Sequence, residues 1–480
     1  MKLMRLLKDK RFRYGTLSTV MMIVAVVIFI LVTLVAEEFN ETWDLTAEQR
    51  FSLTSQSHRF LENLDMDVTL YYAVRTGGED LQVSRLLAEY AAASPHITVQ
   101  QRDPMINPTF LHQFTGGVDG GGIPDGSVIV RSEQGFRVIT PLDMDTRFFH
   151  PQAWQWVVES IDTERVITQA IHALTLGEPP VVYYVTGSGE LELSQAFVDF
   201  LTAENFIVRE HNAMLHDIPQ TADALIITMP DRDWGTAKAD RILDYLNNNE
   251  GRVFMALNIT AEYFPELSRV LRAYGLQLGD YIVIEGDARR TIGNPVWLIP
   301  HLARHEQITE PLFNEDFNQL LLASTGLEVL EMRRTSTVIE PLLVSTRDAY
   351  GRHLDTEAET ILRVPEDAEG PFFMAVAVTD TIFLHTTLTT RMVVVSSLTI
   401  MDDVVNSTIG GGNWAFIANS LNWLRDQPPG IWVPVIRPPG SAPVVLTDAQ
   451  TFTISGIAMG AIPVTLFGIG IFVWLRRRHS

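Results

Sequence analysis

The chain has 480 residues, no cysteine, and 58 acidic against 36 basic side chains, for a formal net charge of −22. Without cysteine, disulfides, thiolate zinc sites, iron–sulfur clusters and cysteine nucleophiles are all excluded. The acidic balance argues against nucleic acid and anionic lipid head groups as partners.

In chain order, residues 1–14 carry Lys2, Arg5, Lys8, Lys10, Arg11 and Arg13 against Asp9 alone, and no charge follows until Glu37. A helix rises about 1.5 Å per residue, so roughly 20 apolar residues cross a bilayer core. The expectation is a transmembrane helix over 15–36, with the basic tail 1–14 on the cytoplasmic side. The run exceeds a signal-peptide core and no A-x-A site follows it, which argues against cleavage.

Residues 37–155 are read as an N-terminal α/β domain. An alternating β-rich strand is expected at 67–74, a helix at 81–93, a strand at 97–102, and a hairpin over 126–139 turning near Gly135. The glycine-rich stretch 116–126 leads into that hairpin and lacks the Lys and Ser/Thr of a phosphate loop, so it reads as a surface loop.

Residues 156–290 alternate strand and helix. Strands are expected at 180–186, 206–210, 224–228 and 252–257, and helices at 191–204 and 237–249. Such alternation implies a parallel sheet covered on both faces. Sites in such sheets form beyond the carboxyl ends of the strands. Here those ends carry Thr186, Gly187, Ser188, Gly189 and Glu190, then Asp231 on the next loop.

Residues 291–427 form a third α/β section, with strands expected at 372–378 and 391–396 and a helix at 414–424. Six prolines then mark 428–450 as an extended stalk. Residues 451–475 are uncharged and precede Arg476, Arg477 and Arg478, so a second transmembrane helix and a cytoplasmic tail 476–480 are expected. Gly456 and Gly460 form a G-x-x-x-G pair that admits a neighbouring helix. Between the two basic tails stand 27 basic against 57 acidic residues, a net of −30. The fold class expected is therefore an α/β body flanked by two terminal transmembrane helices. The body would be periplasmic and both termini cytoplasmic, at a bacterial inner membrane.

Three constellations hold residue types that could carry chemistry. Ser188 sits where a nucleophile elbow would, but G-x-S-x-G spacing is absent and a tight strand-to-helix turn explains the glycines. His301 and His305 stand four apart, yet no H-E-x-x-H glutamate accompanies them and Pro300 interrupts a helix. Asp402 and Asp403 with Asp380 read as turn caps, because neighbours on a strand point opposite ways. No catalytic set, metal site or cofactor is expected, and binding or scaffolding is favoured by elimination.

A series of short motifs runs in order along the chain. It begins with Trp43-Asp44-Leu45-Thr46 and Arg50-Phe51-Ser52-Leu53-Thr54. Leu86-Leu87-Ala88-Glu89-Tyr90, Arg102-Asp103-Pro104, the T-G-S-G-E turn and Ala224-Leu225-Ile226-Ile227 follow. It ends with Val393-Val394-Val395-Ser396-Ser397 and Asn419-Ser420-Leu421-Asn422-Trp423-Leu424. The series resembles the GldG-like auxiliary components of ABC-2-type transport systems, known from gliding motility. The resemblance implies a non-enzymatic subunit beside an ABC-2-type permease and a separate cytoplasmic ATPase. It also implies a body similar to flavodoxin-like or class I glutamine-amidotransferase-like folds without their catalytic residues. Relatives often carry T-G-H-G-E where this chain has Ser188, which puts any ligand role of that histidine in doubt. Trp43, Asp44 and Arg50 near the first span, with Gly456 and Gly460 in the second, are the candidate partner-docking residues. The function expected is thus a membrane-anchored auxiliary subunit of an exporter. The alternatives are an anchored periplasmic hydrolase or carbohydrate-binding protein using the strand-end loops, and a structural envelope scaffold.

Overall fold

The computed structural model describes residues 21–22, 24, 27–28, 52–114, 122–150, 155–177, 179–314, 317–355, 361–383, 387–431, 433 and 463. By its internal contacts the chain divides into Met1–Ser52 and Leu53–Ser480. In the first unit, Met21, Met22, Val24, Val27 and Ile28 are helical and exposed.

The second unit opens with α1 (Ser55–Glu62), β1 (Val68–Ala73), α2 (Leu81–Ala93), β2 (Ile97–Arg102), α3 (Pro108–His112), β3 (Ser127–Ser132) and β4 (Gly135–Ile139). The strands form one sheet in the order β2-β1-β3-β4, with β1 and β2 parallel and the rest antiparallel. Successive side chains of a strand face opposite ways, and β1 uses both faces. Leu70 and Tyr72 enter a core with Leu86, Leu87 and Tyr90 of α2, while Tyr71 and Ala73 meet Leu111 and Phe114 on the other side. After α4 (Pro141–Met144) and the antiparallel pair β5 (Asp145–His150) and β6 (Gln155–Ile161), α5 (Thr163–Thr175) returns to this sheet. Ile167, Ile171 and Leu174 of α5 complete its first core. Asp103 does structural work here: it accepts from Thr76 N at 2.9 Å and from Met105 N at 2.8 Å, tying the exits of β1 and β2 together.

The second sheet draws on strands far apart in the chain. In sequence come β7 (Val181–Thr186), α6 (Gln195–Ala203), β8 (Ile207–Asn212), β9 (Ala224–Thr228), α7 (Thr236–Asn248), β10 (Arg252–Ala256), α8 (Pro265–Ala273) and β11 (Leu276–Leu278). Small strands follow: β12 (Tyr281–Ile284), β13 (Thr291–Ile292), β14 (Asn294–Leu298), β15 (His301–Leu302), then α9 (Glu310–Asn314), β16 (Leu321–Leu322) and β17 (Leu327–Val329). The chain closes with β18 (Thr337–Val344), β19 (Tyr350–His353), β20 (Ala368–Glu369), β21 (Phe373–Phe383), β22 (Thr387–Val395), α10 (Asp403–Thr408) and α11 (Gly412–Leu424).

The sheet runs β11-β17-β21-β22-β10-β9-β7-β8, with β18 also on β21 and β15 on β18. Strands β8, β7, β9, β10 and β22 are mutually parallel, and β21 runs antiparallel to β22. Counted along the chain, the parallel strands stand in the order 2-1-3-4-5, a doubly wound arrangement. Phe197 and Leu201 of α6 share one face with Phe416 and Leu421 of α11. Ile242 and Leu246 of α7 share the other with Leu267 and Leu271 of α8. Both faces are covered, so the strands carry near-continuous apolar runs.

The expectation of two terminal transmembrane helices is corrected, and the inner-membrane location of a periplasmic body and the membrane descriptors that followed from it are withdrawn. Among the described residues no helix is long and apolar enough to cross a membrane. The longest described helices, α2, α5, α7 and α11, have 13 residues each. That length spans about 20 Å, short of a hydrocarbon core of about 30 Å. The most apolar of them, α11, is buried all round in protein against the sheet. The expected spans 15–36 and 451–475 lie outside the described residues, apart from Met21, Met22, Val24, Val27, Ile28 and Pro463. The described body is mixed α/β.

Candidate functional site

In a doubly wound sheet the crevice opens where successive connections leave to opposite faces. That point lies between β7 and β9, because α6 packs on one face and α7 on the other. The turn after β7 carries Gly187 at φ +117° and Gly189 at φ +79°, in the left-handed region that favours glycine. A Cβ on Gly189 would stand 2.8 Å from Asp231 Cβ, so this turn and the loop after β9 touch. Backbone bonds hold them together: Asp231 N donates to Gly189 O at 3.2 Å and Arg232 N to Ser188 O at 3.3 Å.

Beneath the turn lies a lysine that the sequence reading passed over. Lys238, in the first turns of α7, is fully buried. Its Nζ donates to Thr186 O at 3.2 Å, to Ser188 Oγ at 3.3 Å, and to Glu190 Oε1. The Glu190 carboxylate also accepts from Trp234 Nε1 at 3.1 Å and from Ser188 N at 2.7 Å. The Trp234 ring itself lies 5.5 Å from Nζ. Burial pushes the Lys238 ammonium below the usual lysine range, and the Glu190 carboxylate opposes that shift.

Four of the expected site residues therefore form one closed knot rather than an open cleft. Thr186, Ser188 and Glu190 converge on Lys238, and Gly189 is pinned by Asp231. The Asp231 side chain stays exposed. Gly187 is confined too, because its added Cβ would meet Asn212 Oδ1 and Met214 Cγ at 2.7 Å. Ser188 is 2 % exposed. A serine nucleophile needs a neutral base to take its proton; here an ammonium paired to a carboxylate donates to the serine instead. The arrangement locks a strand-end turn onto a helix. Outside the knot, Thr186 Oγ1 donates to Glu210 Oε1 at 3.0 Å and Tyr184 OH to Glu210 Oε2 at 3.2 Å, binding β7 to β8.

On the α6 face of the same sheet end lies a cavity of about 250 Å³ between the 191–194 turn and the 398–403 turn. Leu191, Leu193 and Phe197 line one side and Met401, Asp402 and Asp403 the other. Asp402 is committed as the cap of α10, accepting from Val405 N at 2.9 Å. Asp380 stands at the opposite end of the sheet, paired in register with Thr390, whereas Asp402 follows the far end of β22. It is buried with Arg334 at 2.8 Å and Ser336 Oγ at 2.6 Å. The three aspartates therefore form no single carboxylate site.

The histidine pair dissolves in the same way. His301 lies in β15 opposite Val344. His305 is in a turn, where its Nδ1 accepts from Ile308 N at 3.3 Å and its ring meets Trp423 edge-on at 5.4 Å. Burial lowers both imidazoles below their usual range. Among the described residues no group of His, Asp or Glu is arranged to hold a metal ion. Trp43, Asp44, Arg50, Gly456 and Gly460, the expected partner-docking residues, lie outside the described residues.

The motif 419–424 has a structural part to play. Asn419 Nδ2 donates to Ile308 O at 3.1 Å and its Oδ1 accepts from Gly430 N at 2.9 Å, so one buried amide fastens two irregular segments to α11. Asn413, one helical turn and a half earlier, does the same at Leu320, accepting from its N at 2.9 Å and donating to its O at 2.8 Å.

Against known proteins, residues 47–141 match the family model described as "Domain of unknown function (DUF7088)". That stretch is about a fifth of the chain and contains α1 through β4. No curated protein matches. A solved structure that matches is a putative thua-like protein from Bacteroides uniformis. It is 12% identical, and the match covers 52% of this chain and 95% of that one with a TM-score of 0.28. A likeness at that score carries no argument about fold or function.

Proposed function

We propose that this protein is a non-catalytic auxiliary subunit that holds a partner or ligand, working beside an ABC-2-type permease and a separate ATPase. The observation that supports a binding role is the Lys238–Glu190 knot. The strand-end crevice, where a doubly wound body would carry its chemistry, is filled by a satisfied ion pair whose two side chains are wholly buried. The partners rest on the ordered motifs shared with GldG-like components, and the proposal draws on the α/β body rather than on the terminal segments.

One observation favours a hydrolase: Lys238 Nζ stands 3.3 Å from Ser188 Oγ, the spacing of a serine–lysine dyad. The carboxylate of Glu190 on the same ammonium weighs against it, since it favours the charged lysine, which cannot act as a base.

Affinity purification of the full-length chain from its own host, in a detergent that keeps transporter complexes intact, tests the proposal. The expected result is co-recovery of a permease and an ATPase in fixed ratio, identified by mass spectrometry. Recovery of the chain alone, while other transporters in the same extract stay assembled, would overturn it.

A further inference from the structure

A cavity with unspent polar groups lies away from the strand-end turn. It has a volume of about 430 Å³ and sits where α4 and α5, which belong with the first sheet, meet α6 and the α10–α11 junction. Small-molecule sites fall in the range of about 300–1,000 Å³ and combine apolar walls with a few convergent polar groups.

The apolar wall is aromatic. Phe200, Trp414 and Phe317 line the cavity, and the Phe200 and Trp414 rings stand 5.1 Å apart at 42°. The Trp414 indole is held from behind, with Nε1 donating to Met401 O at 3.2 Å and Phe197 packed edge-on at 5.4 Å. An aromatic plane fixed in this way is a stacking surface.

The polar groups face the cavity with capacity to spare. Asn406 is buried, and its Oδ1 is occupied by Trp414 N at 3.0 Å. That bond fixes the amide so that Nδ2 is the free end, and among the described residues Nδ2 has no partner. Arg165 spends Nε on Asp162 at 3.0 Å and Nη1 on Gln169 at 3.2 Å, which leaves Nη2 unspent among the described residues. Asp199 accepts from Gln195 with Oδ1 at 2.8 Å and keeps Oδ2. The cavity thus offers two donors and a carboxylate acceptor around an aromatic plane.

Charge narrows the ligand class. Arg165 is the cation of the lining, against Asp143 and Asp199. Arg165 already faces Asp162, so an anionic ligand would meet uncompensated carboxylates. A hydroxyl both donates and accepts at no charge, so it suits a mixed set of donors and carboxylates. A ring with hydroxyls at its rim and an apolar C–H face suits an aromatic plane. We propose that the cavity between α5, α6 and α11 is a binding site for a neutral saccharide of one or two rings, with Trp414 as its platform and Asp199, Asn406 and Arg165 as its hydroxyl partners. This site is independent of the auxiliary role proposed above.

The test is saturation-transfer NMR and titration calorimetry on the full-length chain with glucose, N-acetylglucosamine, maltose and cellobiose, and with choline as a contrast. At least one saccharide should bind saturably. Asp199→Ala should weaken that binding about tenfold, and Ala203→Trp, which fills the cavity from an exposed position, should abolish it. Thermal melts of both variants serve as the fold control, and both positions are exposed. Absence of saturable binding by any of the four sugars would overturn the proposal. Binding of choline alone, or saccharide binding that both variants leave unchanged, would do the same.

Discussion

The turn after β7 and the cavity beside α6 are both lined by charged and polar side chains, yet they are opposite kinds of place. At the turn every polar group is consumed: Glu190 takes Lys238, Trp234 Nε1 and Ser188 N, and Lys238 Nζ has three acceptors. At the cavity Asp199 and Asn406 are each held in position by one bond and Arg165 by two, and each keeps a donor or acceptor for something else. The contrast teaches that buried charge at a strand end is not by itself a sign of chemistry. What distinguishes a site from a staple is whether hydrogen-bonding capacity is left over.

The largest expected effect breaks the closed side of this contrast. Lys238→Met leaves the Glu190 carboxylate buried without its partner, which should cost about 3–5 kcal/mol in chemical denaturation. The double variant Lys238→Met with Glu190→Leu should recover much of that loss, because a well-packed apolar pair replaces a buried ion pair at little cost. If the single variant is neutral, the pair is no staple. Next comes Gly189→Ala. It places a side chain in left-handed backbone against Asp231, and should cost about 2 kcal/mol on the same assay.

The third prediction sharpens the contrast on the cavity side. Gln169 lines the cavity and donates its Nε2 to the Glu204 carboxyl, whose value desolvation by burial pushes up from 4.5 to about 8. The folded chain therefore holds a proton that the unfolded chain releases above about pH 4.5. The stability this proton supports is fully present below that pH and is lost as pH rises through about 8. Glu204→Gln keeps the side chain neutral throughout. It should flatten the decline in unfolding free energy between pH 5 and 9, by on the order of 1–2 kcal/mol at the alkaline end. An unchanged pH profile would mean that the carboxyl is solvated.

The smallest effect is Ser188→Ala. It removes one of three acceptors from Lys238 and should cost about 1 kcal/mol, with no change in co-purifying partners. A loss of in vivo function without a loss of stability would revive the serine as a nucleophile.

Much of the local structure was legible because periodicity reports which face is buried. The apolar run at 224–228 forms β9, and helical spacing at 81–93 forms α2. The missed residue left a trace as well. Lys238 precedes Ile242, Tyr245 and Leu246 at the spacing of a buried helical stripe, and all four are buried in α7. A lysine on such a stripe needs a carboxylate partner. Glu190 stands 48 residues away, and nothing in the local pattern names it.

The sequence by itself determined the strands and helices of 180–257, the acidic character of the body, and the glycine-marked turn at the end of β7. These are local properties, set by side-chain periodicity and by the backbone freedom of glycine. Tertiary structure alone decided the rest. It inserted β22 beside β10 from more than a hundred residues downstream, it turned Ser188 and Glu190 from an open candidate site into partners of a buried lysine, and it brought α5, α6 and α11 around one cavity. Each depends on which distant surfaces pack together, and packing is fixed by the summed complementarity of whole faces rather than by any short stretch of chain.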